Sequence, residues 1–244
     1  MKIGIVAEGR SDIGVITNII RGITGLDKAN ILPIRPSFKY DKTDKARLAH
    51  LDPATHGSWT NVRQDCIERK NFDLFFSRQD NDLMVIHLDS AQAADYPVDV
   101  PSKNSKEDCK EYCTNLRRQI IIKIQEWLEN KYADSICYAI AIKEIDSWLL
   151  TIYDYKSCEV EDPKKELRKK LRRYSEGYDA YLEYSDDFSY PRKVKREGYL
   201  ERNCSLQLFW EELEKKYGKI IEPSLKASHA ILSVPKNTQI LNNS

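Results

Sequence analysis

Three short apolar runs, each stopped by an acid, constrain what this chain can fold into more than any other feature. Lys2 to Ala7 (KIGIVA) ends at Glu8, and Leu83 to Leu88 (LMVIHL) ends at Asp89. Ile136 to Ile142 (ICYAIAI) is followed by Lys143, Glu144 and then Asp146. None of the three alternates between apolar and polar residues as a strand with one wet face would. Runs without alternation fit strands covered on both faces, which is the signature of a parallel sheet. Ile31 to Arg35 is a weaker fourth strand, and Pro33 and Pro36 assign it to an edge, because proline cannot donate to a ladder.

Helical patterns lie between these runs. Ile13, Ile16, Ile19, Ile20 and Ile23 recur at helical spacing, with Ser11 or Asp12 as the cap and Gly25 as the stop. Ser58 to Lys70 reads as a second helix. Glu107 to Lys131 reads as a third, with Leu116, Ile120, Ile124, Trp127 and Leu128 on one stripe. Such alternation predicts a three-layer α/β fold with a mostly parallel four-stranded sheet. After Ile142 the pattern changes. Ile145 to Tyr153, Pro163 to Tyr174 and Ser205 to Tyr217 read as helices, and Asp162-Pro163 is a helix start. Ser185 to Arg202 is a charged, aromatic-bearing loop or short helix. The expected division is an α/β core over 1–155 and a helical, basic segment over 156–244.

Composition excludes several classes. A chain of 244 residues can bury a real core. With 39 Lys+Arg against 38 Asp+Glu the net charge is +1, so bulk attraction to nucleic acid is excluded while segregated charge is not. No stretch approaches the roughly 18 apolar residues of a membrane span, and Met1 to Gly9 lacks the pattern of a signal peptide. The six cysteines are scattered, which predicts reduced thiols in the cytoplasm. Cys109 and Cys113 look like helix neighbours, but without a CxxC pair the spacing argues against structural zinc. The phosphate-binding pattern GxxxxGK[ST] is missing, which disfavours nucleotide hydrolysis of the common type.

The acids carry the chemistry. The carboxyl ends of parallel strands form the ligand crevice of an open α/β sheet, so Glu8, Asp89, Glu144 and Asp146 are expected to converge. For any one strand the plainer alternative, an acid at a helix N-terminus, is favoured; for three strands together, convergence is. Clustered carboxylates repel and are tolerated when a divalent cation neutralises them. Oxygen-only ligands favour Mg²⁺ or Mn²⁺ over zinc, and such a site suits phosphodiester chemistry. His87, two residues before Asp89 on the same strand, shares its face. It either supports the metal-binding acid from behind or is a hydrogen-bonded core residue. His50, His56 and His229 are too scattered for an imidazole site, and Ser37 to Ser58 is a long polar connection, an active-site flap or merely a loop.

Glu8-Gly9-Arg10-Ser11-Asp12 after an N-terminal strand resembles the EGxxE/D opening of Toprim domains, especially those of overcoming-lysogenization-defect type nucleases. Val85-Ile86-His87-Leu88-Asp89 resembles the Toprim strand that delivers a metal-binding DxD. Ala141 to Leu150 (AIKEIDSWLL) is similar to the ELEAWLL segment of small stand-alone bacterial Toprim-like proteins, and Asn203 to Phe209 (NCSLQLF) to their C-terminal CPSF..F segment. The resemblance implies a Toprim-like, Rossmann-like fold binding one or two Mg²⁺ ions. It implies Glu8 as metal ligand or acid/base group, Asp89 as the main ligand, and Glu144 and Asp146 as supplementary ligands. Asp12, one helical turn from Glu8, can complete the site, and Gly9 lets the backbone approach metal or phosphate closely. Proteins of this kind commonly act in bacterial defence against phages, often beside an ATPase partner. One departure stands out: the second acid of DxD would fall at position 91, which is Ala91. Either a single metal suffices, or Asp95 or Asp99 replaces that acid, or catalysis has lapsed and the fold serves binding.

Cations gather in two later segments. Lys164 to Arg173 (KKELRKKLRR) holds Lys165, Arg168, Lys169, Arg172 and Arg173, with Leu167, Leu171, Tyr174 and Tyr178 left as an apolar stripe. Arg192, Lys193, Lys195 and Arg196 form the second group, near Tyr190 and Tyr199. Phosphate backbones call for such cations and unpaired bases stack on tyrosine; a solvated helix face is the alternative. The sequence therefore predicts a cytoplasmic Mg²⁺- or Mn²⁺-dependent nuclease, a phosphodiester hydrolase acting on DNA or RNA in antiviral defence. The rival expectation is a non-catalytic subunit that docks on an ATPase or another effector, which Ala91 favours. The Trp210 to Leu213 face reads as core or as an interface between copies.

Overall fold

The computed structural model describes residues 1–36, 59–102, 109–153, 156–157 and 160–232, with side chains as far as residue 221. The connection Ser37 to Ser58 with His50 and His56, Cys158, and the side chain of His229 lie outside the described residues.

Strands β1 (Lys2–Val6), β2 (Ile31–Arg35), β3 (Asn81–Asp89) and β4 (Ile136–Ala141) form one sheet in the order β2-β1-β3-β4. Every pairing is parallel. The fold is a three-layer, Rossmann-like α/β fold, and the proline-bearing β2 lies at an edge. From β1 the chain moves outward to β2, then crosses back past β1 to β3 and on to β4. The direction of winding therefore reverses between β1 and β3, and their carboxyl ends flank the crevice where such sheets bind ligands.

Alternate residues of each strand enter two separate cores. Ile3, Ile5, Leu83, Val85, Cys137 and Ala139 face helix α1 (Arg10–Thr24). Val6, Met84, Ile86, Leu88, Tyr138 and Ile140 face α2 (Trp59–Glu68), α3 (Lys70–Phe76) and α4 (Cys109–Trp127). The helix expected over Ser58 to Lys70 is α2, and a further helix, α3, follows it, because Arg69 adopts a left-handed conformation (φ 58°) and turns the chain between them. The stripe foreseen on α4 is buried at Leu116, Ile120, Ile124 and Trp127.

The C-terminal half is helical, as expected: α5 (Asp146–Leu149), α6 (Pro163–Lys170), α7 (Tyr178–Tyr184), α8 (Pro191–Glu197) and α9 (Cys204–Leu232). Asp162 caps α6, its Oδ1 accepting from the Lys165 N–H at 3.0 Å. Leu167, Tyr181, Phe188, Val194, Leu206, Phe209, Trp210 and Leu213 all enter the same core as α1. The Trp210 to Leu213 face is thus core. Among the described residues no helix is long and apolar enough to cross a membrane.

Two glycines let α1 meet this layer. A Cβ on Gly14 would lie 2.7 Å from the Tyr178 carbonyl oxygen, and one on Gly22 would lie 2.1 Å from that of Phe188. Both obstacles are backbone, so neither can rotate away. Gly22→Ala should therefore destabilise the protein by roughly 1–3 kcal/mol, lowering the melting temperature by about 2–4 °C per kcal/mol. Gly218→Ala, with no atom within 4 Å of the new methyl, is the control expected to hold or raise it. Equal melting temperatures in calorimetry would refute this account of the helix contact.

Candidate metal centre

The site forms where β1, β3 and β4 give way to loops. β1 runs into Glu8, whose side chain is 8% exposed. The Asp89 backbone N–H donates to Glu8 Oε1 at 2.5 Å, tying the ends of neighbouring strands together. Helix α1 then begins, with Gly9 as N-cap rather than Ser11 or Asp12. Asp12 sits a turn inside, where its Oδ2 accepts from the Gly9 N–H at 2.7 Å. Ser11 turns outward and accepts from the Gly177 N–H at 3.0 Å. The acid foreseen as a cap is a buried first-turn carboxylate that faces β3.

His87 is the centre of the arrangement. It is fully buried and packs edge-on against Trp148, with ring centroids 6.2 Å apart. Its Nδ1 lies 2.7 Å from the Ala139 carbonyl oxygen on β4. A carbonyl only accepts, so Nδ1 carries a proton and the orientation of the ring is fixed. Nε2 then points at carboxylates, 3.2 Å from Asp89 Oδ1 and 3.8 Å from Asp12 Oδ2. At 3.2 Å the first contact is close enough for a hydrogen bond but misaligned for one, so both Nε2 and Asp89 Oδ1 are buried polar atoms without a hydrogen-bond partner. A ring nitrogen held from behind by a carbonyl, with its other nitrogen aimed at acids, has the orientation of a metal-binding histidine. One ligand atom each from Asp12, His87 and Asp89 lie within 4.8 Å of one another, so these three residues can hold a metal ion.

Glu144 and Asp146 come from the turn after β4. Lys143 there is left-handed (φ 69°), a conformation uncommon for a residue with a side chain. Its N–H donates to Ser90 Oγ at 2.8 Å and its carbonyl accepts from the Ala91 N–H at 3.0 Å, which clamps the two strand-end loops together. Glu144 Oε2 is buried and has no hydrogen-bond partner. Asp146 is 5% exposed and accepts from the Tyr181 hydroxyl at 2.7 Å. Tyr181 in turn lies 2.9 Å from the Tyr174 hydroxyl. The C-terminal layer thus supplies a wall of the site, a role that no pattern around Tyr181 announces.

Charge explains the titration of the group. Burial, then Asp89, holds Glu8 well above the usual carboxylate range. Burial likewise pushes Asp12 up to about 7 and Asp146 up to about 6, even though His87 pulls the first down and Tyr181 the second. Glu144 is raised by burial and then by Asp89. For His87, burial favours the neutral ring, but Asp12, Asp89 and Glu8 outweigh it and lift the imidazole to about 9. Two like charges about 4 Å apart repel by about 4 kcal/mol at an effective dielectric near 20. A protonated imidazole offsets that repulsion, and a metal ion bound there would take the place of its Nε2 proton.

The remaining sequence expectations divide. The same-face pair on β3 is His87 and Asp89, one pleat upstream of the expected Asp89 and 91. Asp95 and Asp99 are exposed and lie outside the three-ligand group. The donor set is accordingly mixed nitrogen and oxygen, not oxygen alone. Of the basic residues, Arg168 pairs with Glu176, Lys169 with Glu166, Lys193 with Asp187 and Arg196 with Glu197. Among the described residues Lys165, Arg172, Arg173, Arg192 and Lys195 are exposed and outside these pairs. Lys164, half-buried at the start of α6, bonds Glu176 at 2.9 Å and acts electrostatically on Glu144 and Asp146.

Fold and site together define a Rossmann-like α/β protein with a buried acid–histidine cluster able to hold a cation. Compared with known proteins, the chain matches no family model, no curated protein and no solved structure.

Each raised group favours the protonated folded state. Its stabilising contribution is complete below the unfolded pKa and is lost as pH rises through the folded one. For the carboxyls that window runs from about 4 to 7, and for His87 from about 6.5 to 9. In EDTA the melting temperature should fall between about pH 5 and pH 9. Mn²⁺ at about 100 times its dissociation constant should restore about 2.7 kcal/mol at the alkaline end. A flat profile that Mn²⁺ leaves unchanged would rule out this account.

Proposed function

We propose that the protein is a divalent-cation-dependent, Toprim-like nuclease that hydrolyses phosphodiester bonds in nucleic acid, a cytoplasmic effector of bacterial antiphage defence. The observation that supports this reading is the meeting of five acids and His87 at the point where the winding of the sheet reverses. In that cluster His87 Nε2, Asp89 Oδ1 and Glu144 Oε2 are buried without hydrogen-bond partners. Groups of that kind fit a cation, and the imidazole nitrogen shifts the preference from Mg²⁺ towards Mn²⁺.

Asp12, His87 and Asp89 would hold the ion, with Glu144 and Asp146 as supplementary acids. Bound there, a divalent cation would supply Lewis acidity to a phosphoryl oxygen and acidify the attacking water. Glu8 keeps a carboxyl whose proton affinity burial has raised, as an acid/base group needs. Tyr181 fixes Asp146, and Lys164 offsets part of the negative charge at the rim. Arg172, Arg173 and Lys165 are the exposed cations available to a phosphate backbone.

A second reading has its own observation. Ala91 contributes no acid, and its N–H is used to bind the Lys143 carbonyl. This favours a non-catalytic subunit that docks on an ATPase or another effector. Cleavage assays on DNA and RNA oligonucleotides with Mn²⁺ separate the two. Glu8→Gln and Asp89→Asn should each lower the metal-dependent rate by about 100-fold or more. Full activity in both variants would move the site elsewhere, and no cleavage by the unaltered protein would favour the docking reading. If Arg172 and Arg173 both contact phosphates, replacing both with alanine should flatten the salt dependence of duplex DNA binding by about 1.8 in log–log slope.

A further inference from the structure

A second cluster of metal-ligating groups lies apart from the acids. Cys109 and Cys113 stand one turn apart on α4, and their sulfurs are 3.9 Å apart. Cys204, 95 positions from Cys109 along the chain, opens α9, and its thiol faces the Cys109 carbonyl at 3.9 Å. The three Sγ atoms lie within 4.8 Å of one another. A tetrahedral ion bound to sulfur at about 2.3 Å holds its sulfurs about 3.8 Å apart. The Cys109–Cys113 separation already meets that spacing.

The surroundings suit thiolates. Cys204 is the first residue of α9, so its sulfur sits at a helix N-terminus, where the aligned peptide dipoles favour negative charge. Cys109 and Cys204 line a cavity of about 360 Å³ together with Gln207, three cations (Lys110, Lys156 and Arg202) and one acid (Glu201). Three thiolates around a divalent ion leave one net negative charge, which these cations offset. Cys113 is buried while Cys109 and Cys204 are half-buried, giving a closed floor and an accessible rim. Cys66 and Cys137 form the contrast: they are buried singly, and desolvation pushes both thiols up, away from the ionised form.

We propose that Cys109, Cys113 and Cys204 form a three-thiolate site for a soft divalent cation of the zinc type, its fourth position open to water in the cavity. Sulfur donors select Zn²⁺ over Mg²⁺ and Mn²⁺, so the chain would sort two kinds of ion between two sites. The site also fastens α4, on one face of the sheet, to the start of α9, on the other.

Co²⁺ provides the test, because only sulfur ligands give it a thiolate-to-cobalt charge-transfer band. The reduced full-length protein, titrated with Co²⁺, should develop that band at one equivalent and lose it when Zn²⁺ is added. Cys109→Ser, Cys113→Ser and Cys204→Ser should each weaken Zn²⁺ binding by more than about 100-fold, with circular dichroism confirming the fold. Asp89→Asn should leave the band intact. The proposal is overturned if the band fails to appear, survives Cys204→Ser or disappears in Asp89→Asn. It is equally overturned if the cysteines are recovered as a disulfide pair that, once reduced, binds no metal.

Discussion

One imidazole held among carboxylates out of water is the constraint around which this protein is arranged. Each buried charge costs several kcal/mol unless it is compensated. The His87 ring can compensate only while its Nδ1 remains on the Ala139 carbonyl and its Nε2 faces Asp12 and Asp89. That requirement fixes β3 beside β4, since donor and acceptor lie on the two strands. It fixes the first turn of α1, since Asp12 must reach inward while accepting from Gly9. The cover above the cluster keeps the acids out of water and so raises their proton affinity.

Much of this was legible in the sequence, for a definite physical reason. Strands covered on both faces cannot alternate, so KIGIVA, LMVIHL and ICYAIAI declare themselves, and parallel winding carries their last residues to one edge. Glu8, Asp89, Glu144 and Asp146 meet there as the strand order requires. The role of His87 was only half legible. Period two assigned it to the face of Asp89, but the carbonyl that orients it belongs to Ala139 on another strand. Ala91 drew attention to a missing acid downstream of Asp89, when the same-face partner able to join it at a metal is His87, upstream. Tyr181 carries no local signal: its value depends on a contact with Asp146 across 35 positions of chain. The cysteines illustrate the same limit, because spacing rules see Cys109 and Cys113 but not the remote Cys204.

The near-equality of positive and negative residues takes on a spatial meaning. A few acids, Glu8, Asp12 and Asp146 among them, lie in the interior, where burial raises their proton affinity, and a dense group of cations lies on α6 and α8. Those cations are partly spent on Glu166, Glu176, Asp187 and Glu197. What remains exposed is a handful of residues rather than a continuous basic surface, so any nucleic acid would meet discrete anchoring points. Affinity built from few phosphate contacts is modest and depends only gently on salt.

Helix α1 ties the two halves of the molecule together mechanically. Its first turn carries Asp12 into the acid cluster, and at Gly22 its far end touches the backbone of the C-terminal layer. Over 15 residues it is a rod about 22 Å long, and helices of that length bend little. Contact at backbone distance leaves no slack at the anchored end. One stiff element therefore joins the packing of the C-terminal layer to the placement of the Asp12 carboxylate.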